Sequence, residues 1–330
     1  MLNAHAAVLE ASFPNRNIGA WRGTLERDQV SFSNNPMIPF SGVVQPGSTF
    51  ETTVQIPANT VFASVQIGWG PLLSLNDLAL SVYDQAGNLR AQSNTINLPG
   101  LTGKIERVVL NLPASGPWRI RVRNTMLIGT AQPFAGVLQV GQVSYPSMND
   151  IGNLSTSLRT DIYQNVRSFA MCPTGSNFKP GLTVKRADLA TALVLGARVP
   201  QYLPGIPSYQ DVHDNSTMTF VESAQAFPAG ALFVDVSRGG QFRPTDTVTR
   251  LVAAVALVRA AGLRSEADAK ANIPLFYLDA ASIPSNLRSY VSVAVSRGLL
   301  TADLFFRPQN PLLRSDLAHA VAIIQNRAVQ

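Results

Sequence analysis

FKPGLTVKR at 178–186, FRPTDTVTR at 242–250 and FRPQNPLLR at 306–314 are three versions of one phrase. Each opens on Phe, follows with Lys or Arg and then Pro, and closes on Arg eight residues after the Phe. Successive phrases start 64 residues apart both times, and recurrence at a fixed period means one supersecondary unit used three times. After each Arg comes a run of small apolar residues with good helix propensity: ADLATALVLGA, LVAAVALVRAA and SDLAHAVAIIQ. Upstream of each Phe an Asp precedes an apolar residue, as Asp150-Ile151, Asp211-Val212 and Asp279-Ala280, at distances of 28, 31 and 27 residues. The interval holds another helix, clearest in SNLRSYVSVAVSRGLL at 285–300, where Gly298 supplies the stop. The unit therefore reads as an Asp-bearing start, a helix, a Phe-x-Pro loop and a second helix opened near the Arg. Its defining residues are Asp150, Phe178 and Pro180, then Asp211, Phe242 and Pro244, then Asp279, Phe306 and Pro308, in copies spanning about 146–205, 206–272 and 273–330.

Upstream of the repeats, residues 14–145 change character to strand-like runs broken by turn residues, which predicts an all-β domain. FETTVQI (50–56) places Phe50, Thr52, Val54 and Ile56 on one face, and VFASVQIGW (61–69) follows a turn at Pro57-Ala58-Asn59. LALSVY (78–83) leads into a turn over Asp84–Asn88, and ERVVLNL (106–112) and WRIRVRN (118–124) flank one over Pro113–Pro117. In the last strand Ile120 and Val122 face one way and Arg119, Arg121 and Arg123 the other, as expected of an antiparallel sandwich with a wet outer face. Residues 1–13, MLNAHAAVLEASF, read as a short helix with Asn3 as N-cap, ended by Pro14. The expected fold is thus multidomain: an all-β, jelly-roll-like sandwich followed by an α-helical bundle of three repeats.

The composition narrows the function classes. Of 330 residues 46% are hydrophobic and 14% charged, which supplies packed cores rather than a disordered chain. No run approaches the roughly 18 apolar residues of a spanning helix, so no membrane span is expected. The formal charge of +6 divides as +2 over 1–145 (9 basic, 7 acidic) and +4 over 146–330 (17 basic, 13 acidic), a mild excess that suits an anionic polymer. Lys/Arg runs interleaved with aromatics are missing, which argues against nucleic acid. The single Cys172 excludes an internal disulfide, and His5, His213 and His319 lack partners at metal-ligand spacing, so neither a metal nor a cofactor is expected. Asp84 with Asn88 has oxygens for calcium, although an ordinary turn accounts for them better.

Taken together, the three repeats resemble the S-layer homology module, which runs from an aromatic-x-Asp-Val start through a helix to Phe-x-Pro and a Thr-Arg-Ala-Glu motif. The resemblance covers 146–327. It implies a pseudo-threefold bundle whose grooves bind an anionic cell-wall polysaccharide, with Arg186, Arg250, Arg314 and Thr249 as the polymer-binding residues. From the residues alone two roles stay open for each Arg, polymer contact or a structural pairing inside its own repeat with the acidic residue at the repeat start. Only Thr249-Arg250 keeps the Thr-Arg pair, since Lys185 and Leu313 stand at the other two positions. Where the family has Glu, the three copies carry Asp188, Val252 and Asp316, and a helix without its side-chain cap loses about 0.5–2 kcal/mol. Val252 singles out Arg250 as the Arg with no carboxylate nearby to occupy it.

Residues 38–140 resemble the pre-peptidase C-terminal and proprotein-convertase sandwiches of secreted proteases, through Asp77, Asp84, Gly87, Gly116 and Trp118. Asn3, Ala4, Ala7, Val8 and Ala11 resemble the closing helix of a subtilisin-like peptidase domain. These likenesses imply an extracellular, surface-associated region with an upstream protease domain in the parent chain as a partner. The catalytic motifs of that family, Asp-(Ser/Thr)-Gly, His-Gly-Thr and Gly-Thr-Ser-Met-Ala, do not occur, so no catalytic residue is assigned and no enzyme activity is expected. A surface-layer or adhesin-like structural protein is the alternative reading.

Overall fold

The computed structural model describes residues 31–327 except 35–36, 72–74, 98–103, 198, 203, 205 and 271–272. The helix expected at 1–13 and the stretch 14–30 lie outside the described residues. The chain forms two compact units, one over Ser31–Ser144 and one from Tyr145 onward.

Among the described residues the first unit holds nine strands: β1 (Ser31–Asn34), β2 (Ile38–Val44), β3 (Thr49–Ile56), β4 (Thr60–Trp69), β5 (Leu78–Tyr83), β6 (Leu89–Ser93), β7 (Ile105–Asn111), β8 (Gly116–Asn124) and β9 (Gln132–Ser144). One sheet runs β2-β9-β4-β7, with β1 pairing the far half of β9, and the other runs β3-β8-β5-β6. Every pairing is antiparallel, and the order is that of two interleaved Greek keys, the jelly-roll arrangement. Alternation along the strands builds the core. Leu78, Leu80 and Val82 of β5, Ile120 and Val122 of β8, Ile67 of β4 and Leu138 of β9 meet between the sheets in one cluster with Trp69 and Trp118. β9 was not legible as a strand, because Gly136 and Gly141 interrupt its pattern. Gly136 is required there: a Cβ would lie 2.3 Å from the Phe40 ring, which lies over the strand at that point.

The second unit holds α1 (Thr156–Arg167), α2 (Arg186–Gly196), α3 (Asn215–Gln225), α4 (Arg250–Ala260), α5 (Arg264–Ala269), α6 (Arg288–Ser296) and α7 (Arg314–Arg327). The second helices of the repeats, α2, α4 and α7, start at the motif Arg itself. α2 and α4 are apolar almost all round, which a helix can be only when covered on nearly every side, whereas α7 keeps Ser315, Asp316, His319 and Asn326 on a less buried side. Leu189, Ala190, Leu193, Ala253, Ala254, Leu257, Ala318 and Val321 are fully buried.

What covers them is the neighbouring repeat. α1 of the first repeat packs on α7 of the third, α3 of the second on α2 of the first, and α6 of the third on α4 of the second, while α2, α4 and α7 touch one another. The loops close the same circuit through backbone bonds. The Val184 amide donates to Leu312 O (2.9 Å), Leu312 to Val248 O (2.8 Å) and Val248 to Val184 O (2.9 Å).

Candidate functional site: the three repeat junctions

The Asp at the start of each repeat binds the Phe-x-Pro loop of the same repeat. Asp150 accepts the amides of Phe178 (2.8 Å) and Lys179 (2.6 Å), Asp211 those of Phe242 (2.8 Å) and Arg243 (2.6 Å), and Asp279 those of Phe306 (2.9 Å) and Arg307 (2.7 Å). These bonds hold Lys179, Arg243 and Arg307 in the left-handed region at φ of 59°, 61° and 57°, which non-glycine residues seldom occupy. The bend turns Phe178, Phe242 and Phe306 fully inward, at 0% exposure. Each Asp is thereby committed, so the within-repeat pairing of Arg with this residue does not occur.

Each motif Arg instead reaches the next repeat round the ring. Its Nε donates to the Phe carbonyl there: Arg186 to Phe242 (2.7 Å), Arg250 to Phe306 (2.9 Å) and Arg314 to Phe178 (2.9 Å). The guanidinium lies over that same Phe ring, with centroids at 5.0, 5.1 and 4.9 Å, a cation–π contact. The Arg residues are therefore pins between repeats, whatever else they touch.

The three junctions differ in charge. At the first, Arg186 is only 3% exposed and gives Asp235 two hydrogen bonds, at 2.8 and 3.1 Å, and Asp235 also pairs with Arg243. A fully engaged, buried guanidinium is not presented to a polymer, which corrects the expectation for Arg186. At the second, Arg250 bonds Thr301 O and lies 3.7 Å from Asp316 of the third repeat. The carboxylate missing at Val252 is thus replaced by one from the following repeat, and the reason for preferring Arg250 falls. At the third, Arg314 bonds the carbonyls of Phe178 and Cys172, and among the described residues no carboxylate lies within ion-pair distance. Asp235 and Asp316 carry no signal in the sequence that would assign them to these partners, since the pairings depend on how the ring closes.

Thr249 caps α4, its hydroxyl accepting the Val252 amide at 3.3 Å. Lys185 occupies the same place on α2 with similar extended geometry and no side-chain cap; Asp188 reaches back to its amide at 3.4 Å. Asp84 in the sandwich accepts the Asn88 amide and pairs with Arg90 at 2.7 Å, the ordinary turn. Partial burial opposes its charge, yet the Asn88 amide and the Arg90 guanidinium outweigh this and bring its carboxyl from 3.8 to about 2. Among the described residues no group of three metal-ligating side chains comes together. None of the described helices is long and apolar enough to cross a membrane. An open depression of about 770 Å3 lies beside Trp69, Lys104 and Phe134 of the sandwich, and Lys104 there donates to the carbonyls of Asn76 and Asn97.

No known protein family matches the sequence, and no curated protein does. Among solved structures, the chain is similar to PliG of Aeromonas hydrophila, a periplasmic inhibitor of g-type lysozyme, at 15% identity and a TM-score of 0.23 over 32% of this chain and 85% of that one. The mitogen of Yersinia pseudotuberculosis shows 8% identity and 0.24 over 32% and 86%, and the VP2 subviral particle of infectious bursal disease virus 13% and 0.26 over 35% and 33%. At these scores the likenesses carry no argument about function.

Proposed function

We propose that the repeats form a pseudo-threefold S-layer homology bundle that anchors the chain to an anionic cell-wall polysaccharide, with the sandwich as a non-catalytic spacer in an exported subtilisin-like protease. The observation that carries this reading is the junction set: three equivalent Asp clamps, three Arg pins and the circuit they close, in the order the sequence motif lays down. The third junction is the favoured polymer site. Among the described residues no carboxylate neutralises the Arg314 guanidinium, and guanidinium suits a planar, bidentate acid group.

The full chain is expected to co-sediment with wall sacculi from the encoding bacterium, and Arg314→Lys to weaken this about tenfold with the protein still folded. Retention of wild-type chain in the supernatant removes the anchoring role. Undiminished binding by a folded Arg314→Lys variant leaves anchoring in place but takes the contact away from this junction.

A further inference from the structure

The outer face of the β3-β8-β5-β6 sheet carries a row of guanidinium groups that the anchoring reading does not use. Arg119, Arg121 and Arg123 alternate along β8 with Ile120 and Val122, both 0% exposed, so all three point outward. Alternate residues on a strand recur at about 7 Å. Apart from one acid, Glu51, small or hydroxylated residues flank the row: Thr53 and Tyr83 beside Arg119, Glu51 and Ser81 beside Arg121, Thr49 and Ala79 beside Arg123. Tyr83 stiffens it, with the guanidinium carbons of Arg119 and Arg121 both 4.9 Å from the ring centre.

One carboxylate already occupies this face. Glu51 lies 2.6 Å from Arg121 and 4.0 Å from Arg119, and its side chain is 39% exposed. Arg123 is exposed and, among the described residues, has no acidic partner. Three cations therefore share one acid, and that acid shows which chemistry the row accepts.

We propose that this face is a second binding site, for an extended carboxylate-bearing polysaccharide. The regular spacing of cations suits charges that recur along a chain. Thr49, Thr53 and Ser81 offer hydroxyl partners to a polyhydroxylated ligand. Among the residues paired with the arginines only Ala79 and the ring of Tyr83 are apolar, which disfavours an apolar peptide. Glu51 acts as an internal competitor that a polymer carboxylate displaces from Arg121.

The test measures binding of the full chain to soluble polygalacturonate, with neutral dextran, polyglutamate and a single-stranded oligonucleotide as comparators. Wild type is expected to bind polygalacturonate in preference to all three, more weakly as salt rises. Arg123→Gln should weaken binding at least fivefold and Glu51→Gln should tighten it at least twofold, both at the wild-type melting temperature. Binding that falls with Arg314→Lys and not with Arg123→Gln would place the polymer at the third repeat junction and overturn the proposal. No binding by wild type, no response to Arg123→Gln and Glu51→Gln, or equal binding of polyglutamate or oligonucleotide overturns the proposal.

Discussion

At the scale of the residue, the side chains that repeat along the chain act mainly on backbone. Asp150, Asp211 and Asp279 each spend both oxygens on consecutive amides, and the amide-bonded residue after the Phe takes positive φ without glycine. Charged hydrogen bonds of this kind are worth about 1.5–3 kcal/mol, enough to offset such a backbone cost. The same logic governs the Asp84 turn in the sandwich. Its carboxyl is depressed from 3.8 to about 2, so the folded state holds the ionised form more firmly than the unfolded chain does. That contribution is complete above about pH 4 and is lost as the pH falls through 2. Asp84→Asn is therefore expected to melt below wild type at pH 5, with the gap closing toward pH 2. A gap that stays constant across pH 5 to 2 in calorimetric scans would mean that the Arg90 pairing does not stabilise the fold.

At the scale of the element, the helix starts show how one motif tolerates drift. Thr249 and Lys185 sit at equivalent N-caps, at φ and ψ of −80° and 156° against −84° and 160°, and only Thr249 bonds an orphan amide of the first turn. α2 survives without a side-chain cap because its two leading amides are met from the second repeat: Arg186 donates to Asp246 O and Ala187 to Pro244 O, both at 3.0 Å. α4 has the same two bonds, from Arg250 to Asn310 O and Leu251 to Pro308 O, so what α2 lacks relative to it is the side-chain bond to the third amide, that of Asp188. Lys185→Thr fits the existing backbone and is expected to raise stability by about 0.5–1 kcal/mol, read from urea unfolding. α2 and α7 touch through Gly196, where a Cβ would stand 2.3 Å from Val321, so the close approach of these helices depends on a residue that helix propensity alone disfavours.

At the scale of the whole molecule, each unit has its own logic of closure. The sandwich closes by burying alternate residues of two sheets against each other. The repeats close by exchange, since the first helix of each covers the second helix of its predecessor, and the last repeat returns to the first through Arg314, Leu312 and α1. The polar contacts between α1 and α7 seal that return: Asn165 donates to Ala318 O at 2.7 Å, and His319 meets Asp161 at 2.7 Å. A single repeat therefore exposes the apolar surface its neighbours cover. Residues 206–272 expressed alone are expected to lack a cooperative thermal transition, whereas 146–330 should melt as one. Cooperative melting of the isolated repeat at the temperature of the three-repeat segment would show that the circuit is not needed for folding.

Periodicity and local chemistry by themselves determined the 64-residue unit, the helices opened at each Arg, the inward faces of β3, β5 and β8 and the outward arginines, because these depend on neighbours within a few residues. They also singled out Asp150, Asp211 and Asp279, though with a partner that tertiary structure replaced. Which group each Arg meets was decided only by ring closure: Arg186 finds Asp235 49 residues away, Arg250 finds Asp316, and Arg314 finds carbonyls 136 and 142 residues earlier in the chain. Arg250 lost its preferred standing for the same reason, since an adjacent Val252 says nothing about a carboxylate delivered by the following repeat. Long-range pairing has no local period, so the residues that share a junction become visible only when packing of the apolar helices has brought the three loops together.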